Sequence, residues 1–385
     1  MKFSLLSNSI WAPSGYGQQC RIITSRLAAA GHQIGIICYY GLEGGVLSLG
    51  PNITCFPKRY HPYGNDIAIP TSMAFGAQVM ISNMDVWVMN PEDYPPGFKW
   101  IAHYPVDHEP MPPIVRGKLG QAWKRIAVSQ FGVRETNNAG LDCDYIPYCI
   151  ETGLFTKRDK AQAREKLSLP ADKWIVGTVA MNKGNPSRKN FEEMLRAFAL
   201  FHRKHPDTFY FLQTDRGENA PDTVNLPELG RLLGLVEGVD YGFANQYQNA
   251  IGFPPEYFPD LYSALDVHML ASAGEGFGIP TIEAQSCGCP VIVGDWTASS
   301  ELCFAGRKIA KSDAEPFYTA LASYQFKPHA SAIAAALEDE YNRPSDTAEA
   351  VEIVRRDYDA DVVVQTKWLP YLAEVEQQLG EGVAA

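Results

Sequence analysis

Nowhere in the 385-residue chain do 18 apolar residues run together, so no membrane-spanning helix is expected. The opening MKFSLLSNSIWAPSG is broken by Ser and Asn within a few residues, too early for the apolar core of a signal peptide. C-x-x-C pairs are also missing. The eight cysteines, Cys20, Cys38, Cys55, Cys143, Cys149, Cys287, Cys289 and Cys303, lie scattered, several inside apolar runs such as IGIICYY. They read as reduced, buried thiols of a cytoplasmic protein. A basic surplus is lacking too: 33 Lys and Arg face 44 Asp and Glu, a formal charge of −11, which leaves the whole molecule without a polyanion footprint. Residues 1–150 are nearly neutral, with 11 basic and 10 acidic residues, so the deficit belongs to residues 151–385. No short repeat of fixed period occurs, which excludes a solenoid.

What is present is a globular composition, 46% hydrophobic and 20% charged, at a length that asks for two domains. Short β-branched or aromatic runs alternate with helical patterns, the signature of parallel sheets built from β-α-β units. In the first half, strands are expected near Lys2–Ser7, Ile34–Tyr40, Val86–Asn90, Lys99–His103, Arg125–Ser129 and Asp144–Pro147, with helices at Gly17–Ala30 and Phe131–Ala139. The charged segment 156–173, bounded by Pro170, reads as a linker. Beyond it come strands from 174–180, Thr208–Thr214, Tyr241–Ala244, Val267–Ala271 and Pro290–Gly294, with helices at Asn190–His205, Leu226–Leu235, Pro255–Leu265 and Pro280–Cys287. Residues 304–328 fit neither pattern and read as hairpin or loop. The expected architecture is α/β: a Rossmann-like domain over 1–155, the linker, a second over 174–358, and a C-terminal helix over 359–385. Val362, Val363, Trp368, Leu369, Leu372 and Val375 give that helix an apolar stripe, interrupted by Pro370.

Chemistry concentrates in VHMLASAGEGFGIPTIEAQSCGCPVIVGD (267–295), which runs from buried strand through a Gly-rich loop into a helix. Gly274, Gly276 and Gly278 permit tight turns and close approach of a ligand, and Pro280 suits the start of a helix, so the loop presents N–H groups to an anion. Two carboxylates, Glu275 and Glu283, frame it with seven residues between them. They would repel a bare phosphate. They suit an anion carried by a ligand with hydroxyl donors on both sides, a sugar for Glu275 and a ribose diol for Glu283. Arg188–Lys189, in the loop after the strand from 174, is the basic pair placed to compensate the charge. A nucleoside diphosphate sugar meets all three demands.

EGFGIPTIEAQSCGCPVI resembles the E-x7-E signature of retaining glycosyltransferases of family 4, which have the GT-B fold. Other stretches are similar as well: SGYGQQ (14–19) to the family's N-terminal Gly-rich loop, AVSQFGVRETNNAGLDCDYIPYCIETGLF to its interdomain passage, with Glu151 where Asp is usual, and RKNFEEMLRAFALF (188–201) to the helix after its phosphate-binding Lys. Asn182 and Lys183 stand where many members have Arg. WIAHYPVDHEPMPP (100–113) resembles a Y-x-P-V-D variant which, like SGYGQQ, is similar to members from bacteriophage genomes. The resemblance implies two doubly wound domains facing a central cleft, with the helix over 359–385 crossing back to the first. It implies catalytic roles for Lys189, Arg188, Glu275, Asp107 and His103, and donor contacts from Gly15, Gly17, Phe277, Gly278, Ile279 and Glu283. It further implies retention at the anomeric carbon, no metal or other cofactor, and a sugar, lipid or modified-DNA hydroxyl as acceptor.

Plainer readings stand beside these. His103, Asp107, His108 and Glu109 lack the i, i+4 spacing of a zinc helix and read as an active-site loop rather than a metal site. PKRYHPYGND (57–66) is either an acceptor-contacting stretch or a surface loop. Lys58, Arg59, Arg116, Lys118, Lys124 and Arg125 leave a DNA acceptor open. A nucleotide-sugar 2-epimerase and a non-catalytic nucleotide-sugar binder are the rival functions.

Overall fold

Alternate residues along the first strands fall into two separate apolar clusters. Phe3, Leu5, Ile34, Ile36, Val79 and Ile81 join one, while Leu6, Ile37, Met80, Trp100 and Ala102 join the other. Both faces of the sheet are therefore covered, which is why these strands read as continuous apolar runs. The computed structural model describes residues 1–218 and 222–381, in two compact units: residues 1–106, 110–149 and 357–385, and residues 107–109 with 150–356.

The first unit is built on β1 (Lys2–Asn8), β2 (Gln33–Tyr40), β3 (Leu47–Ser48), β4 (Ile53–Pro57), β5 (Val79–Asn83), β6 (Trp100–Tyr104), β7 (Lys124–Ala127) and β8 (Asp144–Tyr145). Their order is β3-β4-β2-β1-β5-β6-β7-β8, parallel except for the β3–β4 edge pair. The strand expected at Val86–Asn90 is instead Val79–Asn83, which pairs with β1 from Phe3↔Val79. Val79, Met80 and Ile81 are buried, as a two-faced central strand requires, whereas Trp87 is exposed. Val86–Val88 forms one 3-10 turn.

The C-terminal stretch belongs to this unit. Asp359 caps a helix over Ala360–Val363, with its carboxylate accepting from the amides of Asp361 and Val362. A π-helical turn over Val364–Trp368 then leads into the helix Leu369–Glu381. Pro370 has no N–H to give the carbonyl four residues back, and the wider turn sits where that bond is lost. Val363, Val364, Trp368, Leu372 and Val375 enter the same cluster as β1 and β2.

The second unit holds β9 (Trp174–Val179), β10 (Thr208–Gln213), β11 (Tyr241–Phe243), β12 (Val267–Leu270), β13 (Val291–Gly294) and β14 (Gly306–Ile309) in the parallel order β11-β10-β9-β12-β13-β14. One face of this sheet packs on helices Phe191–His202 and Ala330–Asn342, through Phe191, Met194, Phe198, Phe201, Ile333 and Leu337. Strand order reverses between β9 and β12, and ligands of such sheets lie outside the carboxyl ends of the strands at that point. Of residues 304–328, expected as hairpin or loop, 314–328 form an antiparallel hairpin of β15 (Ala314–Tyr318) and β16 (Tyr324–Pro328), whereas Gly306–Ile309 is the edge strand β14. Residues 156–173 do not form a free linker. They hold the helix Lys160–Lys166, capped by Asp159. Arg164 is buried there, its guanidinium bonded to the carbonyls of Ala264, Ala171 and Lys173 and to Asp266. Charge alone misleads, because an arginine stem packs while its head is fully hydrogen-bonded.

Trp368 is 1% exposed, so Trp368→Ala should cost about 3–5 kcal/mol. Denaturant unfolding followed by the first unit's fluorescence would measure it, and a loss under about 1 kcal/mol would show the tail to be peripheral.

Candidate donor site

The carboxyl ends of β9 and β12 bring two loops together, 180–190 and 271–278. Gly278 adopts φ +96°, a left-handed conformation open to glycine, and so turns the chain into the helix Ile279–Ser286. Gly274 meets a different demand: a Cβ there would lie 2.2 Å from the carbonyl oxygen of Asp107. Between these glycines Glu275 points inward. Its amide donates to Thr297 Oγ1 at 3.1 Å, and Thr297 itself holds φ +52°, a rare conformation for a β-branched residue.

Lys189 Nζ lies 2.6 Å from Glu275 Oε1, with both side chains largely buried. Burial pushes the Lys189 ammonium below its ordinary value, opposed by Glu275. Burial also disfavours the Glu275 carboxylate, but Lys189 and Arg188 outweigh it and hold the carboxyl below its usual range. Arg188 Nη1 stands 3.6 Å from Glu275 and 3.7 Å from Asp107, and it donates to the Gly274 carbonyl. Asn190, next in line, has φ +60° at the N-cap of helix Phe191–His202. Its buried Oδ1 has no hydrogen-bond partner among the described residues. Glu283 lies one turn into the helix that Gly278 starts, and accepts from the Tyr262 hydroxyl at 2.9 Å.

The structure thus gathers Arg188, Lys189, Glu275 and Asp107 in one cluster of the second unit, with Phe277, Gly278 and Ile279 leading into the helix that carries Glu283. Gly15, Gly17 and His103 belong to the first unit. Gly15 opens the helix Gly15–Ala29, and Ser14 caps it by accepting from the Gly17 amide. A Cβ at Gly17 would meet the Ala12 carbonyl at 2.3 Å, so close packing alone requires that glycine. His103 is fully buried in β6, donating to the Ile146 carbonyl at 3.1 Å and packing edge-on against Trp368. Burial pushes it down to about 4, so the ring is neutral. His268 in β12, pushed down to about 3 by burial and then by Lys189, is neutral as well and accepts from the Val179 amide.

Sequence reasoning missed Tyr262, Thr297 and Asn190, since hydroxyl and amide side chains carry no spacing signal of their own. Asn182 proves structural: its amide bonds the carbonyls of Asp215 and Val224. Five of the six basic residues that left a DNA acceptor open are engaged within the first unit. Lys58 pairs with Glu43 and Lys124 with Glu374, Arg125 binds Asp142, Arg116 donates to the Ala139 carbonyl, and Lys118 to that of Trp87. Among the described residues no group of three His, Cys, Asp or Glu could hold a metal ion, and no helix is long and apolar enough to cross a membrane. All eight cysteines are free thiols.

Lys189→Ala leaves Glu275 buried without its cation, so stability should fall by about 3–5 kcal/mol. Adding Glu275→Gln should restore part of it, and denaturant unfolding of the four proteins gives the coupling. A loss in the double variant equal to the sum of the two single losses would show that the pair does not interact. A neutral buried histidine is protonated first in the unfolded chain, so stability should decline as pH falls from about 6.5 toward 4. His103→Gln should flatten that decline in a pH series of unfolding curves, and an unchanged slope would show that His103 titrates normally.

Residues 175–324 match the family model described as glycosyl transferases group 1. D-inositol 3-phosphate glycosyltransferase of Acidothermus cellulolyticus is 31% identical over 150 residues, 38% of this chain and 32% of that protein. The Segniliparus rotundus protein of the same name is 27% identical over 149 residues, 39% of this chain and 31% of that protein. The matches thus span about a third of these relatives' own length. Over the whole chain, sucrose-phosphate synthase from Thermosynechococcus elongatus superposes with a TM-score of 0.75 at 18% identity, covering 99% of this chain and 100% of that one. HepE of Anabaena, in complex with UDP and glucose, gives 0.64 at 17% identity, covering 98% and 100%. Residues 175–324 therefore carry the glycosyl transferases group 1 pattern, in a chain of two Rossmann-like domains whose structural neighbours are GT-B glycosyltransferases.

Proposed function

We propose that the chain is a retaining glycosyltransferase that takes a sugar from a nucleoside diphosphate donor held by the second unit and passes it to a hydroxyl acceptor bound by the first. The observation that supports this most is the buried Lys189–Glu275 pair with Arg188 beside it, set before the helix Ile279–Ser286 at the point where strand order reverses. Glu283 takes the ribose diol and Glu275 the sugar hydroxyls. Lys189, Arg188 and the amides at 277–279 meet the diphosphate, and their preorganised charge stabilises the leaving group without a metal ion. His103, with no exposed atom, acts through the packing of β6.

UDP is the probe to start from, since it is the nucleotide held by the Anabaena neighbour. Acceptors to test begin with the D-inositol 3-phosphate for which the relatives are named, followed by lipid hydroxyls. Hydroxymethylated DNA, the bacteriophage-type acceptor, belongs in the same panel, although five of the six basic residues that left it open are already bonded within the first unit. Product analysis with donor alone separates a 2-epimerase from a transferase, and binding without turnover identifies a simple binder. A charge-assisted hydrogen bond is worth about 1.5–3 kcal/mol, so Glu283→Gln should weaken UDP binding roughly 10- to 150-fold in calorimetry. Unchanged affinity would overturn the donor site.

A further inference from the structure

Residues 107–109 lie between segments of the first unit in sequence yet belong to the second. They act there as a short third strand on the β15–β16 hairpin: the Glu109 amide donates to the Tyr324 carbonyl at 3.0 Å, and Lys311 Nζ holds the Glu109 carboxylate at 2.9 Å. The Asp107 carbonyl fills the place where a Cβ on Gly274 would be, so the strap rests directly against the residue before Glu275. The hairpin is tied to the same loop, since the Phe326 amide donates to the Ala273 carbonyl at 2.8 Å.

The side chains on this strap form a directed relay. His108 Nδ1 lies 2.6 Å from Asp107 Oδ1, and its Nε2 lies 2.9 Å from Thr319 Oγ1 in the turn joining β15 to β16. Burial disfavours the Asp107 carboxylate, but His108 and Arg188 outweigh it and hold its carboxyl below the ordinary value. An ionised carboxylate only accepts, so Nδ1 carries a proton and donates to Asp107, while Nε2 on the far side of the ring is hydrogen-bonded to the Thr319 hydroxyl. Buried Gln325 adds a second anchor: its Nε2 lies 3.3 Å from both the carbonyl and Oδ2 of Asp107. The carboxylate so fixed is the one that faces Arg188 at 3.7 Å.

We infer that His108 is a positioning residue of the donor site: held by Thr319, it fixes the Asp107 carboxylate as the counter-charge that aims Arg188 along the Gly274–Glu275 edge. The inference rests on the donor reading given above. Because Arg188 then matters most as negative charge builds on the departing diphosphate, loss of the relay lowers kcat and leaves ground-state nucleotide binding intact.

The test compares His108→Leu, His108→Asn and Thr319→Val in the full chain, with UDP-glucose turnover and UDP calorimetry as readouts. Groups that orient a contacting residue typically carry about 10- to 100-fold in activity, and that is the expected fall in kcat for His108→Leu, with KM and UDP affinity within about threefold of wild type. His108→Asn retains a donor toward Asp107 and should recover most of the loss, and Thr319→Val should show a smaller fall of the same kind. Wild-type kcat in His108→Leu, or equal losses in the Leu and Asn variants, would overturn the inference. The donor reading fails separately, through unchanged UDP affinity in Glu283→Gln.

Discussion

A lysine and a glutamate from different loops, 2.6 Å apart and largely out of water, set the terms for the second unit. Either charge alone would be costly at that depth, so the ends of β9 and β12 must be adjacent, as a sheet whose order reverses between them provides. Replacing such a pair with apolar groups is often neutral or stabilising, so stability alone does not explain its presence. Its value is placement of charge. Two loops are bent to hold it there, with Asn190 and Thr297 in left-handed backbone on either side and Gly278 turning into the helix behind.

The Gly-rich loop and its two glutamates were legible in sequence because each physical demand falls on a residue type with few substitutes. Positive φ at Gly278 needs glycine, and the adjoining helix opens with Ile279–Pro280. The core strands were legible for a related reason, since burial on both faces leaves unbroken apolar runs such as IGIICYY. Where two such runs adjoin, in QVMISNMDVWVMN, pattern alone chose the wrong one. Only the partner strand decides, and β1 pairs with Val79–Ser82.

Tertiary context hid the remainder. Residues 156–173 carry the composition of a linker, yet Arg164 finds four acceptors once the helix Lys160–Lys166 packs. Six basic residues of the first half left a DNA acceptor open, but a count of charges does not show that carbonyls and carboxylates already occupy five of them. Asp107 was singled out in the sequence through its resemblance to a known variant. Its membership of the second unit was not, because nothing local announces that Glu109 will pair with Tyr324, more than 200 residues away.

That pairing bears on how the gene for such a chain can be rearranged. The family match begins at residue 175, and a single crossover near residue 150 looks like a clean way to exchange second units between relatives. It would leave residues 107–109 behind. The incoming hairpin would then face a strand selected against a different neighbour, with an ill-matched carbonyl pressed against its Gly274 and a foreign side chain in place of Asp107. Recombinants of this kind are expected to survive only where the three-residue strap and the hairpin are inherited together, so the heritable module is discontinuous in sequence.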